Sequence, residues 1–312
     1  MRLVFLGTPA FAVPTLQAVV AAGHEVLAVV TQPDRPAGRG QQLAVSPVKQ
    51  AAQALHLPVF QPERVKHPEA VAHLAALAPK AMVIVGYGQI IPQSVIDLAP
   101  LGIINVHASL LPRYRGAAPI QWAIARGETL TGVTTMRIDA GLDTGDILLQ
   151  RETAIGEEET ALELAPRLAA MGATLLVETL AGLEAGLIAP RPQDSTQATY
   201  APLLKKEDGL INWNRPAPEI HNRVRGLLPW PGCYTGFRGQ LLHIWKARRG
   251  EGGAGKPGAL RAAQGRLWVD CGEGTSLELL EVQLEGRKRM AAGAFLSGQR
   301  LSHNEVFGEI GA

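Results

Sequence analysis

The chain has 312 residues, 46% of them hydrophobic and 19% charged, which excludes a disordered or collagen-like protein and predicts two folded domains. Its net charge is +2, but the charged residues are distributed unevenly along the chain. Residues 1–204 carry 14 Lys and Arg against 17 Asp and Glu, whereas residues 205–312 carry 16 against 11. A positive second part predicts contact with a polyanion.

The first part of the chain alternates between strand-like and helix-like patterns. Strands are predicted over residues 3–6, 25–31, 58–61, 81–85, 102–106, 132–138 and 146–155. Helices are predicted over 15–22, 46–55, 67–77, 117–126 and 159–185. This alternation is typical of an α/β fold with a Rossmann-like, doubly wound and mainly parallel sheet, which binds ligands beyond the carboxyl ends of its strands. The turn Gly7-Thr8-Pro9 lacks the spaced glycines of a dinucleotide site.

The second part has a different organisation. Residues 190–204 are rich in Pro, Gln, Ser and Thr and predict a linker between a catalytic domain over 1–189 and a second domain over 205–312. Short strands predicted over 240–246, 258–260, 267–271 and 276–282 alternate with glycine-rich turns. This spacing indicates a small OB-like β-barrel, a fold that often binds nucleic acid.

Cysteine content and hydropathy bear on the cellular compartment. Cys233 and Cys271 fit neither a disulfide framework nor a zinc motif, so a reducing compartment and no metal site are expected. Residues 1–23 predict a strand, a turn and a helix rather than a signal peptide. No run reaches the 18 to 20 uncharged apolar residues of a membrane span, so we expect a cytoplasmic protein.

Polar residues at one strand end form a candidate site. Asn105 and His107 are two apart, so their side chains project to the same side of the strand. An amide and an imidazole that converge on a carbonyl oxygen would stabilise a developing oxyanion. A carboxylate beside the imidazole would orient it, and spacing alone leaves Asp139, Asp143 and Asp146 as candidates.

The string NVHASLLPRYRG over residues 105–116, followed by DAGLDTG over 139–145, resembles the signature of folate-dependent formyltransferases. The resemblance implies that Asn105, His107 and Asp143 form the active centre, and that 10-formyltetrahydrofolate donates the formyl group without a metal. It also implies folate contacts, which we expect from Ser109, Leu110, Leu111, Pro112, Tyr87, Gly88 and Ile91.

Two further segments resemble the members of that family that act on initiator methionyl-tRNA. Residues 31–40, TQPDRPAGRG, are similar to their inserted loop, and the chain from residue 206, with INW at 211–213 and LPWPG at 228–232, is similar to their C-terminal barrel. The resemblance implies formylation of the α-amino group of this tRNA, bound by its acceptor arm. We also expect a monomer without a membrane partner, and the lack of an Arg- and Ser-rich leader favours a bacterial cytoplasm over an organelle. The expected tRNA contacts are Arg35, Arg39, Lys205, Lys206, Arg223, Arg225, Lys246, Arg248 and Arg249.

Three alternatives remain open at this point. The acceptor could be a sugar nucleotide or a purine precursor, or the enzyme could hydrolyse the folate and release formate. A non-catalytic tRNA-binding protein with a relic transferase domain is the alternative from another class. The presence of Asn105, His107 and Asp143 together argues against it.

Overall fold

The computed structural model describes residues 1–37, 42–302 and 305–308. Its contacts divide the chain into two compact units. The first comprises Met1–Gly116, Leu130–Ala154 and Ala165–Tyr200, and the second comprises Ala117–Thr129, Ile155–Leu164 and the chain from Ala201 onward. The first part of the predicted linker thus packs with the first unit. The predicted boundaries, with a catalytic domain ending at residue 189 and a second domain starting at residue 205, stay a prediction.

A seven-stranded sheet forms the centre of the first unit. In spatial order its strands are β5 (Val59–Phe60), β2 (Glu25–Val30), β1 (Arg2–Gly7), β6 (Ala81–Val85), β7 (Ile103–His107), β8 (Leu130–Arg137) and β9 (Ile147–Ala154). Neighbouring strands from β5 to β7 are parallel, and the pairs β7–β8 and β8–β9 are antiparallel. The prediction of a mainly parallel sheet is confirmed. All five residues of β6 are buried, as expected for a strand covered on both faces.

Helices alternate with these strands at the predicted places. They are α1 (Val13–Ala21), α2 (Pro47–Ala54), α3 (Pro68–Ala76), α4 (Gln93–Ile96) and α6 (Ala161–Glu184). The predicted start of α2 is confirmed, because the Ser46 hydroxyl accepts a hydrogen bond from the Lys49 amide and Pro47 is the first helical residue. The four-residue helix α4 is missing from the prediction, since one turn is too short to show a helical period.

Helix α6 has 24 residues and, in the described chain, is the one helix long and apolar enough to cross a membrane by length and composition. Half of its most apolar stretch is buried inside the protein.

A two-stranded hairpin lies where the sequence predicts an inserted loop. Its strands are β3 (Arg35–Ala37) and β4 (Gln42–Ala44), with Arg35 opposite Ala44. Residues 38–41 of the loop, which include Arg39, lie outside the described residues.

The second unit is built on an antiparallel sheet. Its main strands, in spatial order, are β10 (Cys233–Phe237), β11 (Gln240–Gly250), β14 (Ser276–Leu284), β13 (Arg266–Asp270) and β12 (Leu260–Ala263), and β15 (Met290–Ala291) pairs with β14. The helices are α5 (Pro119–Ala125), α7 (Ala217–Gly226) and α8 (Ala292–Gly298). The four predicted strands correspond to β11 through β14, whereas β10, α7 and α8 were not predicted.

Residues 305–308 close this sheet into a barrel. The Gly308 amide donates to the Gly236 carbonyl in β10 at 3.0 Å, and the Phe307 amide donates to the Gly258 carbonyl at 2.9 Å. The Leu260 amide, at the start of β12, donates to the Glu305 carbonyl at 2.8 Å. This short segment thus connects the two outer strands of the sheet and covers part of each edge.

Phe307 anchors the closing segment, since it is 5% exposed and stacks on Trp213 with ring centroids 5.3 Å apart. We expect Phe307→Ala to lower the free energy of unfolding by about 3–5 kcal/mol, because it leaves a cavity in an aromatic cluster. Denaturant unfolding measures this change. Leu210→Ala, at a 52% exposed position of the same unit, is the control and should change stability by less than about 1 kcal/mol. Equal effects of the two substitutions would contradict the anchoring role of Phe307.

Candidate active site

The candidate site starts from β7, the strand at which the sheet changes from parallel to antiparallel pairing. Asn105 pairs with Ile84 of β6 and with Met136 of β8, and His107 pairs with Thr134. The two side chains lie on the same side of the strand, as the spacing predicts. The His107 side chain is buried, whereas Asn105 is partly exposed.

Backbone and carboxylate contacts orient the His107 ring. Its Nε2 lies 2.9 Å from the carbonyl oxygen of Tyr114, and because a carbonyl only accepts, Nε2 carries the hydrogen. On the other side of the ring, Nδ1 lies 3.7 Å from Oδ2 of Asp143, which is beyond hydrogen-bond length. Nδ1 is therefore the ring nitrogen left for a substrate, and a carboxylate stands close enough to stabilise positive charge on it.

Asp143 and Asp139, two of the three candidate aspartates, have different surroundings. Oδ2 of Asp143 accepts a hydrogen bond from the Gly116 amide at 2.8 Å while it faces His107. Asp139 is exposed, and its oxygens accept from the Thr144 hydroxyl and the Gly141 amide within its own loop. The structure thus places Asp143 beside the imidazole. In the described part of the chain, no group of three or more His, Cys, Asp or Glu residues is arranged to hold a metal ion.

The two residues that face the ring nitrogens of His107 have left-handed backbone conformations. The φ angle is +60° at Tyr114 and +51° at Asp143, in a region where residues other than glycine are strained. Such conformations cost on the order of 1–3 kcal/mol each and persist only where the surroundings enforce them. They are concentrated at functional sites, and here they lie on either side of one imidazole.

The loop after β7 carries four of the seven residues expected to contact folate. The Ser109 hydroxyl donates to the Arg113 carbonyl at 2.6 Å, and the Thr134 hydroxyl donates to the Ser109 carbonyl at 2.7 Å. The Leu111 amide donates to the Thr134 hydroxyl oxygen at 3.1 Å. Ser109 and Leu111 are buried by this packing. Leu110 and Pro112 are only partly buried and are the two members of this set that reach the surface.

The loop after β6 is held through the backbone of Tyr87. Its carbonyl accepts hydrogen bonds from the Thr8 hydroxyl at 3.0 Å and from Nε2 of Gln32 at 3.1 Å. Gly86 and Gly88, on either side, have positive φ angles of 57° and 86°. The Tyr87 ring is 1% exposed in the core, and burial raises the pKa of its hydroxyl to about 12. Tyr87 can therefore line a ligand pocket with its backbone but not with its ring.

Two exposed apolar side chains lie on the loops around the site. Ile90 is 93% exposed and Leu142 is 60% exposed, although side chains of this size are usually buried. Ile91, which the sequence analysis selects, is partly buried and packs against the core. The sequence reasoning did not select Leu142, because exposure of a single apolar residue has no local sequence signal.

The residues expected to contact tRNA differ in accessibility. Arg35, Lys205, Lys206, Lys246, Arg248 and Arg249 are exposed. Arg35 pairs with Glu63, Arg248 with Glu278 and Arg249 with Glu157. Arg225 is 7% exposed, and its guanidinium donates to the carbonyls of Gly156 and Glu159 and to the Asn222 side chain. The Arg225 side chain is thus committed to contacts inside the second unit and is not presented to a ligand.

The second unit contains a cationic cleft that the sequence analysis did not predict, although it selected one lining residue, Arg223. Two cavities of about 380 and 210 Å³ share Arg215 and Arg223 in their linings, and Arg126 lines the larger one. We call this pair of cavities the basic groove. The guanidinium of Arg126 lies 5.3 Å from the ring centroid of Trp122, and that of Arg215 pairs with Glu219. Arg126 and Arg215 are about 90 positions apart, so no sequence pattern joins them.

Comparison with known proteins follows the same division of the chain. The formyl transferase family matches residues 1–180, and the formyl transferase C-terminal domain matches residues 203–300. The methionyl-tRNA formyltransferase of Solibacter usitatus is 70% identical over 99% of each chain. That of Koribacter versatilis is 60% identical over 99% of each chain.

Solved structures share the fold at lower identity. An N-formyltransferase from Helicobacter canadensis, in complex with folinic acid and dTDP-3-aminofucose, has a TM-score of 0.66 at 19% identity and covers 89% of this chain and 98% of its own. HypX from Aquifex aeolicus, in complex with tetrahydrofolic acid, has a TM-score of 0.64 at 18% identity. The match covers 95% of this chain and 47% of the HypX chain. The site and these matches together define a one-carbon transferase. The chain belongs to the formyl transferase family.

Proposed function

We propose that this chain transfers the formyl group of 10-formyltetrahydrofolate to the α-amino group of initiator methionyl-tRNA, which supplies formylated tRNA for translation initiation. The observation that carries the proposal is the similarity to methionyl-tRNA formyltransferases over both the catalytic and the C-terminal parts of the chain. The arrangement of Asn105, His107 and Asp143 supports the chemistry. We place the enzyme in the bacterial cytoplasm, as a monomer that acts without a metal.

The reaction replaces the bond between the formyl carbon and a folate nitrogen by a bond to the amino group. The Asn105 amide donates a hydrogen bond to the formyl oxygen, and Nδ1 of His107 donates a second one as the oxygen gains negative charge. The Asp143 carboxylate, 3.7 Å from Nδ1, stabilises the imidazolium form that makes this donation possible. The proton released by the attacking amine ends on the departing folate nitrogen, and we assign its transfer to Asp143, through water.

The surroundings of the site suit a folate-type donor. Gly88 follows β6, and the partly exposed Leu110 and Pro112 follow β7, so these loops lie beyond the carboxyl ends of two neighbouring parallel strands, where ligands bind in such sheets. Exposed Ile90 and Leu142 would be covered by such a ligand, which removes apolar surface from water.

The basic groove suits the sugar–phosphate backbone of tRNA. Three guanidinium groups line it against one carboxylate, that of Glu219, and two asparagines, Asn212 and Asn222, add polar groups. Guanidinium groups bind phosphate through paired N–H donors. We therefore add Arg126 and Arg215 to the exposed residues expected from the sequence and leave the buried Arg225 out.

The acceptor is tested with purified protein, 10-formyltetrahydrofolate and one candidate acceptor at a time. We expect a formylated product with initiator methionyl-tRNA and none with a dTDP-amino sugar or with glycinamide ribonucleotide. Release of formate without an acceptor would indicate a hydrolase instead. Binding of methionyl-tRNA without any turnover would indicate a non-catalytic tRNA-binding protein.

The role of Asp143 is tested by Asp143→Asn, which removes the charge but keeps an oxygen for the Gly116 amide. We expect single-turnover formylation to slow by roughly 100- to 10,000-fold, as for the loss of a general acid–base group. Asp139→Asn, in the same loop, is the matched control and should stay within a few-fold of the wild type. If both variants were slowed equally, the assignment of Asp143 would be wrong.

The groove is tested by Arg126→Gln and Arg215→Gln. Each variant should bind initiator tRNA more weakly, and the slope of log affinity against log salt concentration should become shallower by about 0.7–0.9 for each phosphate that the variant no longer binds. Arg151→Gln is the control, because Arg151 is 41% exposed and pairs with Glu178 at 2.8 Å, much as the 56% exposed Arg215 pairs with Glu219 at 2.6 Å. Fluorescence anisotropy at several salt concentrations measures the slopes. Slopes identical to that of the control would remove the groove from the tRNA interface.

A further inference from the structure

The segment that the sequence predicts as a linker makes specific contacts with the candidate active site. Arg191 and Ile147 exchange two backbone hydrogen bonds of 2.8 and 2.9 Å, which fix the start of the segment beside β9. From Arg191 to Tyr200 the chain then belongs to the first unit. Its composition, rich in Pro, Gln, Ser and Thr, gives no sign of this packing.

Gln193 lies between two loops of the site. Its Nε2 donates to the carbonyls of Asp143 and Gly145, both at 2.8 Å. Its Oε1 accepts from Nε of Arg115 at 3.1 Å and from Nη2 at 2.7 Å. Both N–H groups and both acceptor positions of the amide are therefore used. One side chain joins the loop that carries Asp143 to the loop whose backbone holds His107.

Thr199 makes a second connection to the His107 loop. The Tyr114 amide donates to the Thr199 hydroxyl oxygen at 2.9 Å, and the Arg115 amide donates to the Thr199 carbonyl at 2.8 Å. Tyr114 is thereby held through its nitrogen while its oxygen accepts from His107. Arg115 itself is only 3% exposed, so its guanidinium is held in place by the surrounding protein.

We propose that Gln193 is a positioning residue for formyl transfer, which sets the place of the Asp143 carboxylate relative to the His107 imidazole. The left-handed backbone at Asp143 is unfavourable by itself, so the loop needs external contacts to keep it. Hydrogen bonds from Gln193 to the carbonyls of Asp143 and Gly145 supply them. Without them the loop relaxes, and the carboxylate moves away from Nδ1.

This inference rests on the proposed formylation of methionyl-tRNA, and it is tested by Gln193→Met, which keeps the side-chain length but removes all four hydrogen bonds. We expect kcat to fall by about 10- to 100-fold, since a displacement of about 1 Å in a catalytic group can have that effect. KM for methionyl-tRNA should stay within about twofold of wild type, because a positioning residue acts through the Asp143 loop and not through substrate binding. Gln197→Met is the matched control: the Gln197 amide binds Asp194 in the same exposed segment, and its loss should leave kcat unchanged.

A second variant separates the contact of Gln193 with Arg115 from its contacts with the Asp143 loop. Gln193→Glu keeps the acceptor for Arg115 but places a carboxylate oxygen opposite the carbonyls of Asp143 and Gly145. We expect its kcat to be as low as that of Gln193→Met, because the contacts to the Asp143 loop are the ones that matter. Circular dichroism checks that each variant is folded. Should Gln193→Met not fold, Gln193→Asn replaces it, since its shorter amide cannot reach both loops.

The outcomes separate this inference from the proposed function. A Gln193→Met enzyme with wild-type kcat, or one whose loss is confined to KM, would overturn the positioning role while the function stands. A Gln193→Glu enzyme with wild-type kcat would also overturn it, because the Asp143 loop would then not depend on Gln193. If wild type and Gln197→Met both failed to formylate methionyl-tRNA, the proposed function itself would be wrong.

Discussion

The hydrogen bond from Nε2 of His107 to the Tyr114 carbonyl is the contact on which the candidate site depends. It fixes the ring plane and leaves only Nδ1 to face the Asp143 carboxylate and a substrate. A strand end on a buried sheet provides a rigid base for this arrangement, since β7 is paired on both sides. The chemistry then needs two loops to be brought to the ring and kept there.

Both loops are held at a conformational cost. Tyr114 and Asp143 have positive φ angles, and neither is glycine. Hydrogen bonds from outside the loops offset this cost: Gln150 donates to the Leu111 carbonyl, Thr199 accepts from Tyr114, and Gln193 donates to the Asp143 carbonyl. The active centre is thus stabilised by side chains from outside its two loops, one in β9 and two in residues 193–199.

The second unit is an antiparallel sheet closed by residues 305–308, and it carries most of the basic side chains expected to contact tRNA. Residues 305–308 form backbone hydrogen bonds with β10 on one side and with Gly258 and Leu260, at the start of β12, on the other. Phe307 packs inside the resulting barrel, against Trp213. Most of the basic side chains expected to contact tRNA remain exposed on this unit, whereas Arg225 is used internally. The net positive charge of the second part therefore overstates what is available to a polyanion, because a buried guanidinium with carbonyl partners supports the fold instead.

The sequence by itself determined the features that depend on neighbours along the chain. Apolar runs predicted the strands of the parallel sheet, Ser46 and Pro47 predicted the start of α2, and the spacing of Asn105 and His107 predicted their shared side. The choice of Asp143 among three aspartates came from family resemblance rather than from spacing. The local pattern missed β10, α7 and α8, and it selected Arg225 because a charged residue is usually exposed.

Only the tertiary structure decided the role of residues 190–200 and the surroundings of His107. The Gly116 amide and the Asp143 carboxylate that meet there are 27 positions apart in the chain. Gln193 is 50 positions from Asp143 and 78 from Arg115. Contacts over such separations depend on how the loops fold over the sheet, so periodicity and spacing in the sequence do not predict them. Local spacing thus placed Asn105 and His107 together, and long-range hydrogen bonds decided how Asp143 is held beside them.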